Sequence, residues 1–193
     1  MKVLVTGGNR GLGLEIVKSL NGTSLSRGDG VNITTDAKVI AQASLEYDIF
    51  VNNAFDGPPQ EEWADFGQVQ VLLEVYSAWK AAGKEGYIFN IGSVGERHVV
   101  APEPSFETYR VAKSALAHAS RQCTAAFKND VVKFKTTLIT PDRLDTDLSR
   151  SRASWTGNGI DCNDIVNFIK FATDIKSNSV VEEIILYVNF SSK

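Results

Sequence analysis

Short runs of apolar and β-branched residues alternate with helix-patterned segments along the whole chain, and this alternation constrains the fold more than any other feature. The run "KVLVTG" (2–7) reads as a strand, and "LGLEIVKSL" (12–20) follows as a helix with Leu12, Ile16, Val17 and Leu20 on one face. Helical patterning at 36–45 precedes a strand at 47–54, and a long helix at 66–83, stopped by Gly83, precedes a strand at 86–93. A helix at 105–127, a strand at 131–140, a helix at 161–174 capped by Asp161, and a strand at 182–189 complete the series. Strands linked through helices in this way pair in parallel, and helices must cover both faces of their sheet. The pattern predicts an α/β fold, a doubly wound parallel sheet formed by a single domain over 1–193, since no repeat, low-complexity tract or linker divides the sequence. Between residues 21 and 36, "NGTSLSRGDGVNITTD" has room for two very short strands at most, so the sheet is expected to be shortened in its second and third strands.

Composition removes several classes of function. A formal net charge of -3, with 20 Lys and Arg against 23 Asp and Glu, gives no basic footprint for nucleic acid. No apolar run approaches the ~20 residues of a membrane-spanning helix. The apolar-rich start runs straight into glycines and is too short for a secretory signal, so a cytoplasmic protein is expected. Cys123 and Cys162 stand far apart and the chain has only 2 histidines, which predicts two free, buried thiols and no metal site.

Two local patterns carry chemistry. "TGGNRGLG", Thr6 to Gly13, lies between the first strand and the first helix, with Gly7, Gly11 and Gly13 spaced T-G-x-x-x-G-x-G. Glycines permit a tight turn and let backbone N–H groups approach an anion, and the helix N-terminus presents its positive dipole end to a dinucleotide pyrophosphate. Elsewhere, two tyrosines stand four residues ahead of a lysine on expected helices: Tyr109 with Lys113 in "ETYRVAKSA", and Tyr76 with Lys80 in "YSAWK". That spacing puts both side chains on one helix face. A free tyrosine ionises near about pH 10, and a neighbouring cation favours the phenolate, which would suit it to acid–base work.

These patterns, in this order, resemble the short-chain dehydrogenases/reductases over nearly the whole chain. "VNNAF" (51–55) is similar to the family's N-N-A-G, and "NIGS" (90–93) to the segment with its catalytic serine. "YRVAK" fits Y-x-x-x-K, and "TPDRLDTDL" (140–148) is similar to the P-G-x-x-x-T loop. The resemblance implies a Rossmann-like fold with Ser93, Tyr109 and Lys113 as catalytic residues. It selects Tyr109 over Tyr76, because no serine precedes Tyr76 at comparable spacing; Tyr76 and Lys80 are then expected at a helix surface or interface. Tyr109 would exchange a proton with the substrate oxygen while hydride moves to or from the cofactor. Ser93 would orient that oxygen, and Lys113 would also bind the nicotinamide ribose.

Cofactor contacts implied by the same resemblance are Thr6, Gly7, Asn9, Arg10, Gly11, Leu12 and Gly13 in the turn, Ser26 and Arg27 beside the ribose, and Asn32 near adenine. Asn53, Ala54 and Phe55 would follow along the dinucleotide, Tyr109 and Lys113 would meet its ribose and nicotinamide, and Leu144 and Thr146 would lie near the carboxamide. Arg10, Arg27 and Ser26 suit the 2′-phosphate of NADP, whereas Asp29 would favour NAD. The sequence departs from the family pattern in three places. Gln68 or Gln70 falls where a helix asparagine belongs, Phe55 replaces a glycine, and Asp142 replaces the glycine of P-G, with its charge expected near the nicotinamide pocket. "VGERHVVAPEP" is expected to loop beside the substrate with His98 solvated, and the short segment around Trp155 implies a small or open pocket. The expected function is NADP-dependent hydride transfer with an aldehyde, ketone or secondary alcohol, in a homodimer or homotetramer paired through helices 66–83 and 105–127. A non-catalytic dinucleotide-binding sensor or regulatory subunit is the alternative. The family's epimerases and dehydratases need a separate substrate domain for which this chain is too short.

Overall fold

The computed structural model describes residues 1–55, 66–97, 104–152, 155, 157–176 and 178–189. Strands β1 (Val3–Thr6), β2 (Thr23–Leu25), β3 (Ile49–Asn52), β4 (Gly86–Ile91), β5 (Phe134–Pro141) and β6 (Glu183–Leu186) form one sheet in the order β2-β1-β3-β4-β5-β6. Every neighbouring pair is parallel. The intervening helices are α1 (Gly11–Leu20), α2 (Ala37–Ser44), α3 (Gly67–Ala81), α4 (Pro104–Lys128), the single-turn α5 (Asp147–Arg150) and α6 (Cys162–Asp174). This is the doubly wound α/β fold that the alternation predicts.

The sheet separates two apolar layers. On one face, Val3, Val5, Val51 and Phe89 pack with Leu12 and Ile16 of α1 and with Ile165, Val166 and Ile169 of α6. On the other, Leu4, Phe50, Ile88 and Phe134 pack with Ile40 of α2, Val71, Leu72, Val75 and Trp79 of α3, and Leu116 and Cys123 of α4. Successive strand residues alternate between the two layers, which is the period-2 rule acting on a sheet buried on both sides. Trp79 is fully buried; its Nε1–H donates to Ser44 Oγ (2.8 Å) and its ring meets Phe134 edge-on with centroids 5.5 Å apart.

The shortened region is one strand. After the three-residue β2 the chain makes a 3₁₀ turn at Arg27–Asp29 and a further turn into α2. Asn32 caps that second turn: its Oδ1 accepts from Thr34 N–H (3.0 Å), and its own N–H donates to Asp36 Oδ2 (2.8 Å). Asp161 caps α6 as expected, accepting from Asn163 N–H at 2.8 Å. Cys123 and Cys162 are both free and buried. Tyr76 is half-buried, its ring meeting Phe134 of β5 edge-on at 5.5 Å, and Lys80 is exposed. Among the described residues, no helix is long and apolar enough to cross a membrane and no cluster of metal-ligating side chains occurs.

Candidate functional site

The strands of a parallel sheet end together, and their C-terminal ends gather the sequence-predicted residues along one edge. At the end of β1 the glycine turn leads into α1 with Gly7 and Gly11 at positive φ (+70° and +53°). Gly13 approaches the chain more closely still: a Cβ there would lie 2.2 Å from Gly7 O and 2.7 Å from Asn53 Nδ2. Thr6 fastens the turn to β3, its Oγ1 accepting from Asn53 N–H and Ala54 N–H, each at 3.0 Å. Asn53 Nδ2 donates in return to Thr6 O (3.0 Å). Leu12 points into the core, while Arg10 and Gly11 are exposed at the start of α1.

Beside the turn, Asn9, Ser24, Ser26 and Asp29 form a polar cluster. Asn9 Nδ2 donates to Ser26 Oγ, and Asn9 Oδ1 accepts from Ser24 Oγ (2.8 Å). Ser26 Oγ donates to Asp29 Oδ2 at 2.7 Å, so the carboxylate and the hydroxyl share one spot, with Arg27 exposed between them in sequence. Across the turn, Thr146 caps α5 by accepting from Ser149 N–H (3.2 Å), and its methyl lies 3.6 Å from the position a Cβ on Gly11 would take. Leu144 bridges to Ile160 and packs on the core. Asp142 Oδ2 faces Val188 N–H (3.4 Å) beyond β6.

Ser93, Tyr109 and Lys113 come together at the end of β4. A Cβ on Gly95 would lie 3.3 Å from Ser93 Oγ and 3.5 Å from Tyr109 Cε1, so the two side chains flank that glycine, and Ser93 Oγ accepts from Gly95 N–H (3.1 Å). Lys113 lies one turn along α4 from Tyr109 and is 3% exposed, with Nζ 5.7 Å from the Tyr109 ring centroid. Nζ donates to Gln68 Oε1 (2.9 Å) and to Ile91 O (2.8 Å). Gln68 Nε2 donates to Asn52 O (2.8 Å) and Ile91 O (3.2 Å), tying α3 to the ends of β3 and β4. Gln68, not the exposed Gln70, therefore meets the lysine. Phe55 closes the group: its ring lies 5.0 Å from Lys113 Nζ and 5.0 Å from the Tyr109 ring, edge-on at 85°.

Burial dominates the electrostatics here. It pushes the Lys113 ammonium down from 10.5 to about 7. It also raises the Tyr109 hydroxyl above the ordinary tyrosine value, against opposing effects of the Ser93 hydrogen bond and the Arg152 charge. The expectation that a neighbouring lysine lowers the Tyr109 value is thus reversed in the protein alone, because desolvation of the phenolate outweighs the charges around it. A second charged group, which the sequence reading misses, braces the turn after Ser93. Arg121 Nη2 joins Glu96 (3.2 Å) to Glu183 (3.1 Å), and Arg97 also pairs with Glu183 (2.6 Å). Its members come from the turn at Val94–Arg97, α4 and β6, so no local pattern announces it. His98 lies outside the described residues.

No protein-family model matches this chain, and no curated protein matches it. Solved structures do. A 3-ketoacyl-(acyl-carrier-protein) reductase from Brucella melitensis complexed with NADH superposes with a TM-score of 0.72 at 18% identity, covering 95% of this chain and 96% of that one. An oxidoreductase of the short chain dehydrogenase/reductase family from Burkholderia thailandensis gives 0.73 at 18% identity, over 96% and 90% of the two chains. Pseudomonas aeruginosa RhlG, in an NADP active-site complex, gives 0.70 at 17% identity over 96% and 93%. At such identities the likeness establishes the fold: this chain has the Rossmann-like fold of short-chain dehydrogenases/reductases.

Proposed function

We propose that the chain is an oxidoreductase that moves hydride between a nicotinamide cofactor, NADP in preference to NAD, and a small aldehyde, ketone or secondary alcohol. The observation that carries this reading is that Ser93 and Tyr109 flank the same glycine, Gly95, at the end of β4, with Lys113 one helical turn from the tyrosine. The glycine turn fits a dinucleotide, since Gly13 lets α1 pack tightly against Gly7 and Asn53 while the exposed start of α1 at Arg10 and Gly11 leaves backbone N–H groups open to a phosphate. Thr6, Gly7, Asn9, Arg10, Gly11, Leu12 and Gly13 would form that end of the site, with Ser26, Arg27 and Asn32 towards the adenosine. Asn53, Ala54 and Phe55 would continue the path to Tyr109, Lys113, Leu144 and Thr146. Asp29 favours NAD by its charge, while Arg10, Arg27 and the Ser26 hydroxyl favour a phosphate.

A bound reduced nicotinamide supplies hydride. The chain's own part is the proton: burial keeps the Tyr109 hydroxyl protonated at neutral pH, the form that donates to a carbonyl oxygen held by Ser93. We read the chain as one domain acting in the cytoplasm, in a homodimer or homotetramer paired through α3 and α4. The ring of Phe55 against Tyr109 and Lys113 favours a second reading, a non-catalytic dinucleotide-binding subunit.

Turnover of a carbonyl panel with NADPH and NADH separates the two. The enzyme reading expects NADPH oxidation that falls about 10²-fold or more in Tyr109→Phe while nucleotide binding is kept. Equal turnover in wild type and Tyr109→Phe refutes the mechanism, and saturable binding without turnover selects the second reading.

A further inference from the structure

We infer that Phe55 is a built-in occupant of the space onto which Lys113 opens, so that a nucleotide reaches the lysine only after the phenyl ring has turned aside. The inference rests on the dinucleotide reading above and concerns how that site is regulated. An ammonium carries three N–H donors. Among the described residues, Gln68 Oε1 and Ile91 O accept from Lys113 Nζ, at 2.9 and 2.8 Å. The Phe55 ring centroid stands 5.0 Å from the same nitrogen, within the reach of a cation–π contact. It also stands 5.0 Å from the Tyr109 ring in an edge-to-face pair. One side chain thus covers both members of the tyrosine–lysine pair.

The backbone leading to that ring is held in place. Asn53 N–H and Ala54 N–H both donate to Thr6 Oγ1 at 3.0 Å, and Asn53 Nδ2 donates to Thr6 O at 3.0 Å. These bonds fasten the segment before Phe55 to the end of β1. Clearing Lys113 therefore falls to the side-chain torsions of Phe55, which is half-buried. In the closed arrangement it keeps a cation–π contact and an aromatic pair that the open one gives up. The competent fraction is small, and the apparent affinity for nucleotide is reduced by that fraction, about ten-fold or more for contacts of this strength.

The test is nucleotide binding by the full chain, read by fluorescence titration with NADPH and NADH, for wild type, Phe55→Ala and Phe55→Leu. Phe55→Ala is expected to bind at least ~10-fold more tightly than wild type, and Phe55→Leu, which keeps apolar volume without the π face, to fall between them. Stopped-flow mixing adds a kinetic readout: because a side-chain rotation equilibrates far faster than binding, the apparent association rate constant of wild type should be about ten-fold below that of Phe55→Ala. Equal or weaker binding by Phe55→Ala, with wild type binding measurably, overturns the occlusion and leaves the dinucleotide site standing. Binding by no variant overturns the dinucleotide reading and this inference with it. If Phe55→Ala fails to fold by circular dichroism, a Phe55→Leu affinity and association rate equal to those of wild type are sufficient to overturn the inference.

Discussion

A buried lysine with no carboxylate partner among the described residues makes stability depend on pH in a defined direction. The unfolded chain holds the Lys113 proton up to its ordinary value of 10.5, whereas the folded protein releases it at about 7. Between those values unfolding takes up a proton, so stability rises with pH across the window; below about 7 the cost of burying the charge is fully present. At about 1.36 kcal/mol per pH unit the gap corresponds to at most ~5 kcal/mol. The hydrogen bonds to Gln68 Oε1 and Ile91 O and the face of Phe55 all favour the ammonium, which makes that figure a ceiling. Lys113→Met removes the titrating group and keeps the apolar stem. Urea unfolding of wild type and Lys113→Met should be measured from pH 6 to pH 10.5. The stability of wild type relative to the variant should climb through this range with a slope approaching ~1.4 kcal/mol per pH unit, and flatten below about pH 7. Losing a donor for Gln68 and Ile91 shifts the variant by the same amount at every pH, so it cannot mimic the slope. A difference that stays flat from pH 7 to pH 10 refutes the reasoning: the ammonium would then be solvated or paired as well in the folded chain as in the unfolded one.

Two further substitutions probe the frame around the site. Gly13→Ala places a Cβ 2.2 Å from Gly7 O, a contact with backbone that no rotamer relieves, and should cost about 1–3 kcal/mol in chemical unfolding together with any nucleotide binding. Arg121→Ala removes one of the two cations that Glu96 and Glu183 share, leaving Arg97, and should cost about 1 kcal/mol at neutral pH. Burial pushes the Glu183 carboxyl up, but hydrogen bonds from Arg97, Arg121 and Thr140 outweigh it and hold the group below its ordinary 4.5. That stabilisation is present above 4.5 and fades as pH falls through the folded-state value, so the deficit of Arg121→Ala in thermal unfolding should shrink in acid.

Features set by local chemistry were legible in the sequence. The glycine turn, the strand–helix alternation and the Asp161 cap each follow from a few adjacent residues, and the short β2 follows from the glycines and polar residues of 21–36. Strand ends were less so. Val131 and Val132 read as the start of a strand, yet β5 begins at Phe134, and Val132 is buried in the approach to it. Partners distant in sequence carried no local signal. Tyr76 reads as a surface or interface tyrosine because its ring partner, Phe134, belongs to a strand three elements further on. Gln68 and Gln70 look equivalent as letters, but residues two apart on a helix face nearly opposite ways, and only the docking of α3 decides which is buried. The cluster of Asn9, Ser24, Ser26 and Asp29 depends likewise on how the turn after β2 folds back on the glycine turn.

The departures from the short-chain pattern act on one another. Gln68 and Asn52 bond reciprocally, Asn52 Nδ2 donating to Gln68 O (2.9 Å) and Gln68 Nε2 to Asn52 O (2.8 Å). This pairing fixes the glutamine at the point where β3 and β4 end, so that its remaining oxygen has one direction in which to accept, and Lys113 lies in it. A longer amide arm thereby makes a direct contact with the lysine. With that oxygen and Ile91 O on one side, the ammonium needs shielding only on the side facing Tyr109, which is where the Phe55 ring stands. An aromatic ring suits that position as a smaller side chain would not, because its face attracts a cation while its bulk excludes water. Glutamine in α3 and phenylalanine after β3 are therefore parts of one arrangement that holds a buried lysine in register with a tyrosine.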